Sequence, residues 1–215
     1  MTILTILLVT TDIYARAGGG GGSGKGGGGI IALIIWGIYT AIITVILAIK
    51  TSKSDYILRW AFKQDKIWDP NKMKALSKNM FFKMQQAWMD RNIDTVKEFI
   101  TDELYVDYKQ QLDIMLANQE KNILESINVA DVKIISCEDF SDNSKDSFIA
   151  YIKGSIVDYT ISEKTGRIIK NEKQEEEKFK DTYHFVRQRN KWLLNYIDND
   201  VTISDLISAK NYREK

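Results

Sequence analysis

From Ile30 to Ile49 the chain runs Ile-Ile-Ala-Leu-Ile-Ile-Trp-Gly-Ile-Tyr-Thr-Ala-Ile-Ile-Thr-Val-Ile-Leu-Ala-Ile, twenty residues without a charge. At about 1.5 Å of rise per residue, a helix of that length spans the roughly 30 Å hydrocarbon core of a bilayer. The stretch therefore reads as a transmembrane helix. The alternative, a helix buried in a soluble core, needs a larger protein around it than the 215 residues of this chain supply. Gly37 and Ala41 form one small-xxx-small pair, a spacing that lets a second helix approach, although the pattern is common.

Ahead of this helix, Ile3 to Val9 is a short apolar run, and Ala15-Arg16-Ala17 is the small-x-small pattern a signal peptidase reads, so residues 1–17 are a candidate signal peptide. No Lys or Arg precedes the run, which keeps an uncleaved start open. Ten of the thirteen glycines then fall between Gly18 and Gly29. Such a tract buries no side chains and loses the most backbone entropy on ordering, so residues 18–29 read as a flexible leader. Gly24-Lys25 is not a phosphate-cradling loop, because no Ser or Thr follows the lysine.

The net charge of +1 conceals a division. Residues 50–78 carry eight basic side chains against three acidic ones, whereas everything from Asn79 onward is net −5. An acidic balance argues against nucleic acid as a partner of the large domain, since phosphate neutralisation needs a basic face. Cys137 is the only cysteine, which excludes an internal disulfide, and a single His leaves no zinc cluster. Close to the apolar helix, Lys50, Lys53, Arg59, Lys63 and Lys66 on its carboxy side face only Arg16 and Lys25 on its amino side. That asymmetry places the large domain in the cytoplasm, at the inner face of the cell membrane.

Within residues 50–68, the apolar positions 57, 60, 61 and 68 recur at helical spacing, with Lys63 and Lys66 elsewhere on the helix. Aromatic residues beside cations suit an interfacial helix against anionic headgroups, with Arg59, Trp60, Lys63, Lys66 and Trp68 as the contacts. A helix packed on its own domain fits the same pattern.

Asp69-Pro70 marks a helix start, and Met73, Leu76, Met80, Met84, Ala87 and Trp88 make one apolar face. Ile93 to Ile100 and Asp102 to Ala117 read as two further helices, the second capped by Asp102. Beyond Asn122 the period changes from 3.6 to 2, giving strands Val129 to Cys137, Phe148 to Ser162, Phe179 to Gln188 and Lys191 to Ile197. Helices followed by an antiparallel meander predict an α+β domain over residues 69–200, with the helices on one face of a curved sheet and residues 201–215 as a tail.

An ordered set of residues then carries a resemblance. Gln85-Gln86-Ala87-Trp88, Ile93-Asp94, Val96, Phe99, Thr101 and Glu103-Leu104-Tyr105 are followed by Val157-Asp158-Tyr159, Gly166, Phe179, Tyr183-His184-Phe185-Val186-Arg187 and Trp192-Leu193-Leu194. The set resembles the family of the carboxy-terminal domain of mitochondrial import inner-membrane translocase subunit 44, the Tim44-like domain. It departs from that pattern at Tyr183-His184, where the family usually has Trp-Thr or Trp-x. The resemblance implies a cone-shaped domain similar to nuclear transport factor two, with an apolar cavity between helices and sheet. It also implies relatives that tether partners to a membrane or bind lipid. Fold alone is an associational warrant for function.

Two functional readings follow. In the first the chain is a membrane-anchored binding module without catalytic residues, cofactor or metal. Its partners are anionic lipid and a translocase or other membrane-associated protein, and Met84, Trp88, Phe185 and Trp192 are candidates for the cavity wall, with ordinary core packing the commoner role for such residues. In the second, the cone fold hosts an isomerase or dehydratase with an acid–base pair, His184 with Asp158 and Tyr159 as donor. Arg187 reads as a structural strand residue able to pair Glu138 or Asp158 at the cavity rim.

Overall fold

In this computed structural model the described residues are 30–214, with side chains from residue 33; the signal-peptide and glycine-leader readings fall outside them. Helix α1, Ile30–Gln64, is continuous through the end of the apolar segment. Between Gly37 and Pro70 there is no Gly or Pro, so the change from apolar to charged residues at Lys50 does not interrupt the backbone hydrogen bonds. The separate juxtamembrane helix expected over 50–68 is instead the second half of α1, followed by a 3-10 turn at Lys66–Trp68.

Helix α2, Pro70–Met89, starts as expected, with the Asp69 carboxylate accepting the N–H groups of Asn71 at 2.9 Å and Lys72 at 3.2 Å. Ile93–Phe99 is a 3-10 segment rather than an α-helix. Helix α3, Asp102–Ala117, is capped by the Thr101 hydroxyl, one residue earlier than expected.

The strands are β1 (Glu120–Asp139), β2 (Ser147–Ser162), β3 (Ile168–Lys170), β4 (Glu176–Gln188), β5 (Lys191–Asp198) and β6 (Asn211–Arg213), with α4 at Ile203–Ser208. The sheet runs β5-β4-β2-β1-β6, with β3 paired to β2. All pairings are antiparallel except β6, which runs parallel to β1 and makes the sheet mixed. The register of β1 against β2 shifts between Glu125 and Asn128, Val129 and Asp131, and Ile134 and Ser136. Such bulges increase local twist and curl the sheet. Gly154 sits at this bend: a Cβ there would overlap the Asn128 carbonyl oxygen and the Phe179 ring.

The α+β class holds: α2, α3 and the second half of α1 pack on one face of a curled sheet, while α4 and the part of α1 around Ile43 and Leu47 lie on the other. The inner face meets α2, α3 and the second half of α1, and buries Phe81, Met84, Trp88, Phe148, Tyr183, Phe185 and Leu194 among others. A smaller cluster on the outer face joins Ile43 and Leu47 of α1 to Ile135, Tyr151, Leu206 and Ala209. Of the segment expected as a tail, residues 201–214 are described and folded: α4 packs on this outer side and β6 joins the sheet edge beside β1.

Candidate functional site

Helix α1 is fastened along its length by the returning carboxy-terminal segment. The Lys50 ammonium donates to the carbonyls of Ile207 at 2.6 Å and Ala209 at 2.5 Å. One turn on, the Ser54 hydroxyl donates to the Asn211 side-chain oxygen at 2.8 Å. That same oxygen accepts the Cys137 N–H, while the Asn211 amide nitrogen donates to the carbonyls of Ile135 and Lys50. Farther along, the Arg213 guanidinium lies 5.6 Å from the centre of the Trp60 ring.

Between α1 and β6 these contacts leave a groove of about 510 Å³ lined by Ser52, Lys53, Tyr56, Ile57, Asn211 and Arg213. If Ile49 marks the hydrocarbon edge, Lys53 lies about 6 Å beyond it and Tyr56 about 10 Å. The headgroup layer on each side of a bilayer is about 5–8 Å thick. Lys53 therefore sits within it, and the long Arg213 side chain lines the same groove. Chemically, the Lys53 ammonium, the Tyr56 and Ser52 hydroxyls and the Arg213 guanidinium, which also pairs Asp139 at 3.6 Å, suit a phosphate diester, whereas the Asn211 amide is taken up by its bonds to Ile135 and Lys50.

The residues expected to touch headgroups divide between the surface and the core. Helix α1 is continuous past Lys50, and Trp60 and Lys63 follow Ile49 by about 16 Å and 21 Å of helical rise. Arg59, Lys63 and Lys66 are exposed. Lys63 lies over the Trp60 ring at 4.8 Å, and Lys66 over the Phe62 ring at 4.1 Å while donating to the Phe62 carbonyl. Trp68 is buried, edge-on to Trp192 with centroids 4.9 Å apart, so it faces the core and not lipid. Lys53 was within reach of sequence reasoning as part of the positive flank. Arg213 was not, because nothing local shows that the tail returns to α1.

Residues 58–199, more than half of the chain, match the Tim44-like domain. The chain belongs to the Tim44-like domain family. The fold is similar to that of the intermembrane-space region of the chloroplast protein ARC6. That crystal structure aligns at 8% sequence identity and a TM-score of 0.46, covering 62% of this chain and 98% of that one. No curated protein matches the sequence.

The four side chains expected to line a cavity in the Tim44-like domain are packed core. Met84, Trp88, Phe185 and Trp192 are buried; Phe185 stacks on Phe148 at 4.5 Å, and Trp88 meets Tyr108 edge-on at 5.8 Å. Sequence reasoning also missed a polar seam in this core. Gln85 is wholly buried on α2, Tyr108 on α3, and Asp181 on the inward face of β4 between Phe179 and Tyr183. Burial first, and then the charges of Asp107 and Asp181, push the Tyr108 hydroxyl far above its ordinary pKa.

His184 and Asp158 are not brought together. Asp158 is buried on the sheet's inner side and accepts the Asn122 amide at 2.7 Å, while Tyr159 donates to Glu125 at 3.0 Å. His184 pairs in register with Ile149, nine residues away from Asp158 along β2, or about 30 Å of strand. It lines a recess of about 350 Å³ on the outer face with Glu138, Thr182, Tyr196, Asp198, Asp205 and Lys210. Arg187 pairs neither Glu138 nor Asp158; its partners are Asp146 and Asp65. Among the described residues no group of three or more His, Cys, Asp or Glu is placed to hold a metal.

Burial pushes the His184 imidazole down to about 4, with Asp205 acting in the opposite sense. Its unfolded value is about 6.5. Between these values the unfolded chain binds the extra proton and the folded one does not. The contribution is thus complete above pH 6.5 and is lost as pH falls toward 4, by about 3 kcal/mol at most. Burial also raises the facing Asp198, whereas the Thr202 bonds lower Asp205. Comparison with His184→Gln therefore isolates the imidazole. Thermal melts of the detergent-solubilised protein from pH 7 to 4 are expected to be flatter for the variant; parallel profiles would discard the assignment.

Proposed function

We propose that this chain is a single-pass membrane-anchored binding module. Its Tim44-like domain stands at the cytoplasmic membrane face, engages anionic phospholipid headgroups through the groove between α1 and β6, and recruits a translocase component or other membrane-associated protein. The observation that carries the reading is the continuity of α1, whose apolar part is long enough to cross a bilayer, with a mean hydropathy of 2.2. The same helix enters the domain core through Ile57, Leu58 and Ala61, so a span formed by α1 would also set the domain's height above the bilayer. Tim44-like domains are in general associated with membranes and translocase partners. The cationic flank of the span supports the cytoplasmic side. Separation of His184 from Asp158 supports binding rather than acid–base catalysis.

The test is the double charge reversal Lys53→Glu with Arg213→Glu in the full-length protein. Native mass spectrometry of protein extracted from mixed phosphatidylcholine–phosphatidylglycerol vesicles is expected to find phosphatidylglycerol enriched on the wild type. The double variant should lose that enrichment, and added salt should weaken it in the wild type. Equal enrichment on both proteins would remove the groove from the proposal.

A further inference from the structure

Residues 202–213 run beside α1 in the same direction, and each contact fixes their height on it. Leu206 and Ala209 share a buried cluster with Ile43 and Leu47. The carbonyls of Ile207 and Ala209 meet Lys50, Asn211 meets Ser54, and Arg213 meets Trp60. Helix α4 therefore lies beside the last two turns of the charge-free segment, and β6 lies beyond it. With Ile49 at the hydrocarbon edge, Leu47 is about 3 Å and Ile43 about 9 Å inside the apolar layer. Sliding the span by a full turn moves this level by only about 5 Å, which still leaves α4 among the headgroups and the first acyl carbons.

The Ile207 side of α4 fits that depth, while Ser204, Asp205 and Ser208 are its polar exposed positions. Ile207 is 59% exposed, and Ile42, Val45 and Ile49 of α1 are exposed at the same level. Several end groups of α4 are bonded by protein instead of water, which suits a water-poor layer. At its amino end the Thr202 hydroxyl accepts the Asp205 N–H, while the Asp205 carboxylate accepts the Thr202 N–H at 2.8 Å. At its carboxy end Lys50 takes two carbonyls, and the Ser208 hydroxyl donates to the Asp205 carbonyl. The Asp205 side chain lines the recess it shares with His184.

We propose that α4 is a membrane-immersed element: its Ile207 side enters the headgroup–acyl boundary of the cytoplasmic leaflet beside α1, embedding one edge of the domain in the bilayer. Amphipathic segments at this level bury their apolar side about 5–10 Å into the boundary. The inference rests on α1 spanning the membrane, and its test separates the two claims.

Single cysteines replace Ile207, Val45 and Val106 in the full-length protein, each labelled with a polarity-sensitive fluorophore after reconstitution into phosphatidylcholine–phosphatidylglycerol vesicles. Val106 is exposed on α3 and serves as the aqueous reference. Native Cys137 is buried, and the unsubstituted protein gives the labelling background. All three positions are exposed, so the fold tolerates them. The expected result is blue-shifted emission at 45 and 207, quenched by lipids carrying a nitroxide near the carbonyl end of the acyl chain. The probe at 106 should respond only to aqueous iodide. A probe at 207 that behaves like the one at 106, while 45 is quenched by lipid, overturns the immersion of α4 and leaves the span standing. If 45 also behaves like 106, the span and the proposed function fall together with it.

Discussion

Replacing Arg187 by methionine is expected to destabilise the folded domain by about 3–5 kcal/mol, because it strands carboxylates that a buried guanidinium now neutralises. Arg187 Nη1 lies 3.0 Å from Asp146 Oδ2, and Nη2 lies 2.7 Å from Asp65 Oδ2. The Arg187 N–H also donates to the Asp146 carbonyl at 2.9 Å. Asp146 is fully buried, and burial raises its pKa even against the Phe140 N–H and Arg187. At Asp65 burial also acts upward, but the Ile67 N–H and Arg187 together outweigh it and hold the carboxyl low. Asp65 is the residue at which α1 ends, so one guanidinium ties the far end of the membrane helix to β4 and to the start of β2. In a chain of this size the loss corresponds to a melting temperature lower by about 10 °C. Arg187→Lys keeps the charge without the planar fork and should recover only part of it. Asp65→Asn should cost less than Arg187→Met, since Asp65 reaches solvent. Circular-dichroism melts in detergent decide the matter, and an Arg187→Met protein melting with the wild type would strip the triad of its role.

The distance between partners explains which parts of this structure the sequence made legible. The apolar stripe from Met73 to Trp88 and the alternation in Phe148 to Ser162 are local patterns, and both elements form where the periods place them. The first part of β1, Glu120 to Asn128, is polar and broken by a bulge, so its alternation is blurred and the strand begins earlier than its β-branched run. Helix α4 and β6 have no strong local signal. They are held by Lys50 and Ser54, each 157 residues from its partner. The partners of Arg187 follow the same rule: Asp65 belongs to the helix end and Asp146 to a turn, and neither is a neighbour in sequence. In the candidate groove, Lys53 belongs to a legible positive flank while Arg213 arrives through tertiary pairing alone. Trp60 and Trp68 illustrate the opposite hazard, since aromatic residues beside lysines describe an interface and a core edge equally well. Trp68 is buried and belongs to the core, whereas Trp60 stays 43% exposed on α1.

Phe148→Ala is expected to produce a second loss of about 3–5 kcal/mol, from transfer free energy and the cavity left behind. The Phe148 ring is fully buried, stacked on Phe185 at 4.5 Å with planes 8° apart, and meets Trp192 at 4.9 Å and 90°. Trp192 in turn lies edge-on to Trp68, and its indole N–H donates to the Ile67 carbonyl at 3.1 Å. Four rings from β2, β4, β5 and the turn after α1 thus occupy the inner side of the sheet, where the family resemblance implies an apolar cavity. Removing the central ring opens space bounded by aromatic walls, and an apolar void of that kind stays dry and accepts a small hydrocarbon. Saturating benzene is therefore expected to raise the melting temperature of Phe148→Ala by mass action and to leave the wild type unchanged. A wild type raised by benzene as much as the variant would mean that the space exists before the ring is removed, and the packed-core account of Met84, Trp88, Phe185 and Trp192 would give way to a ligand cavity.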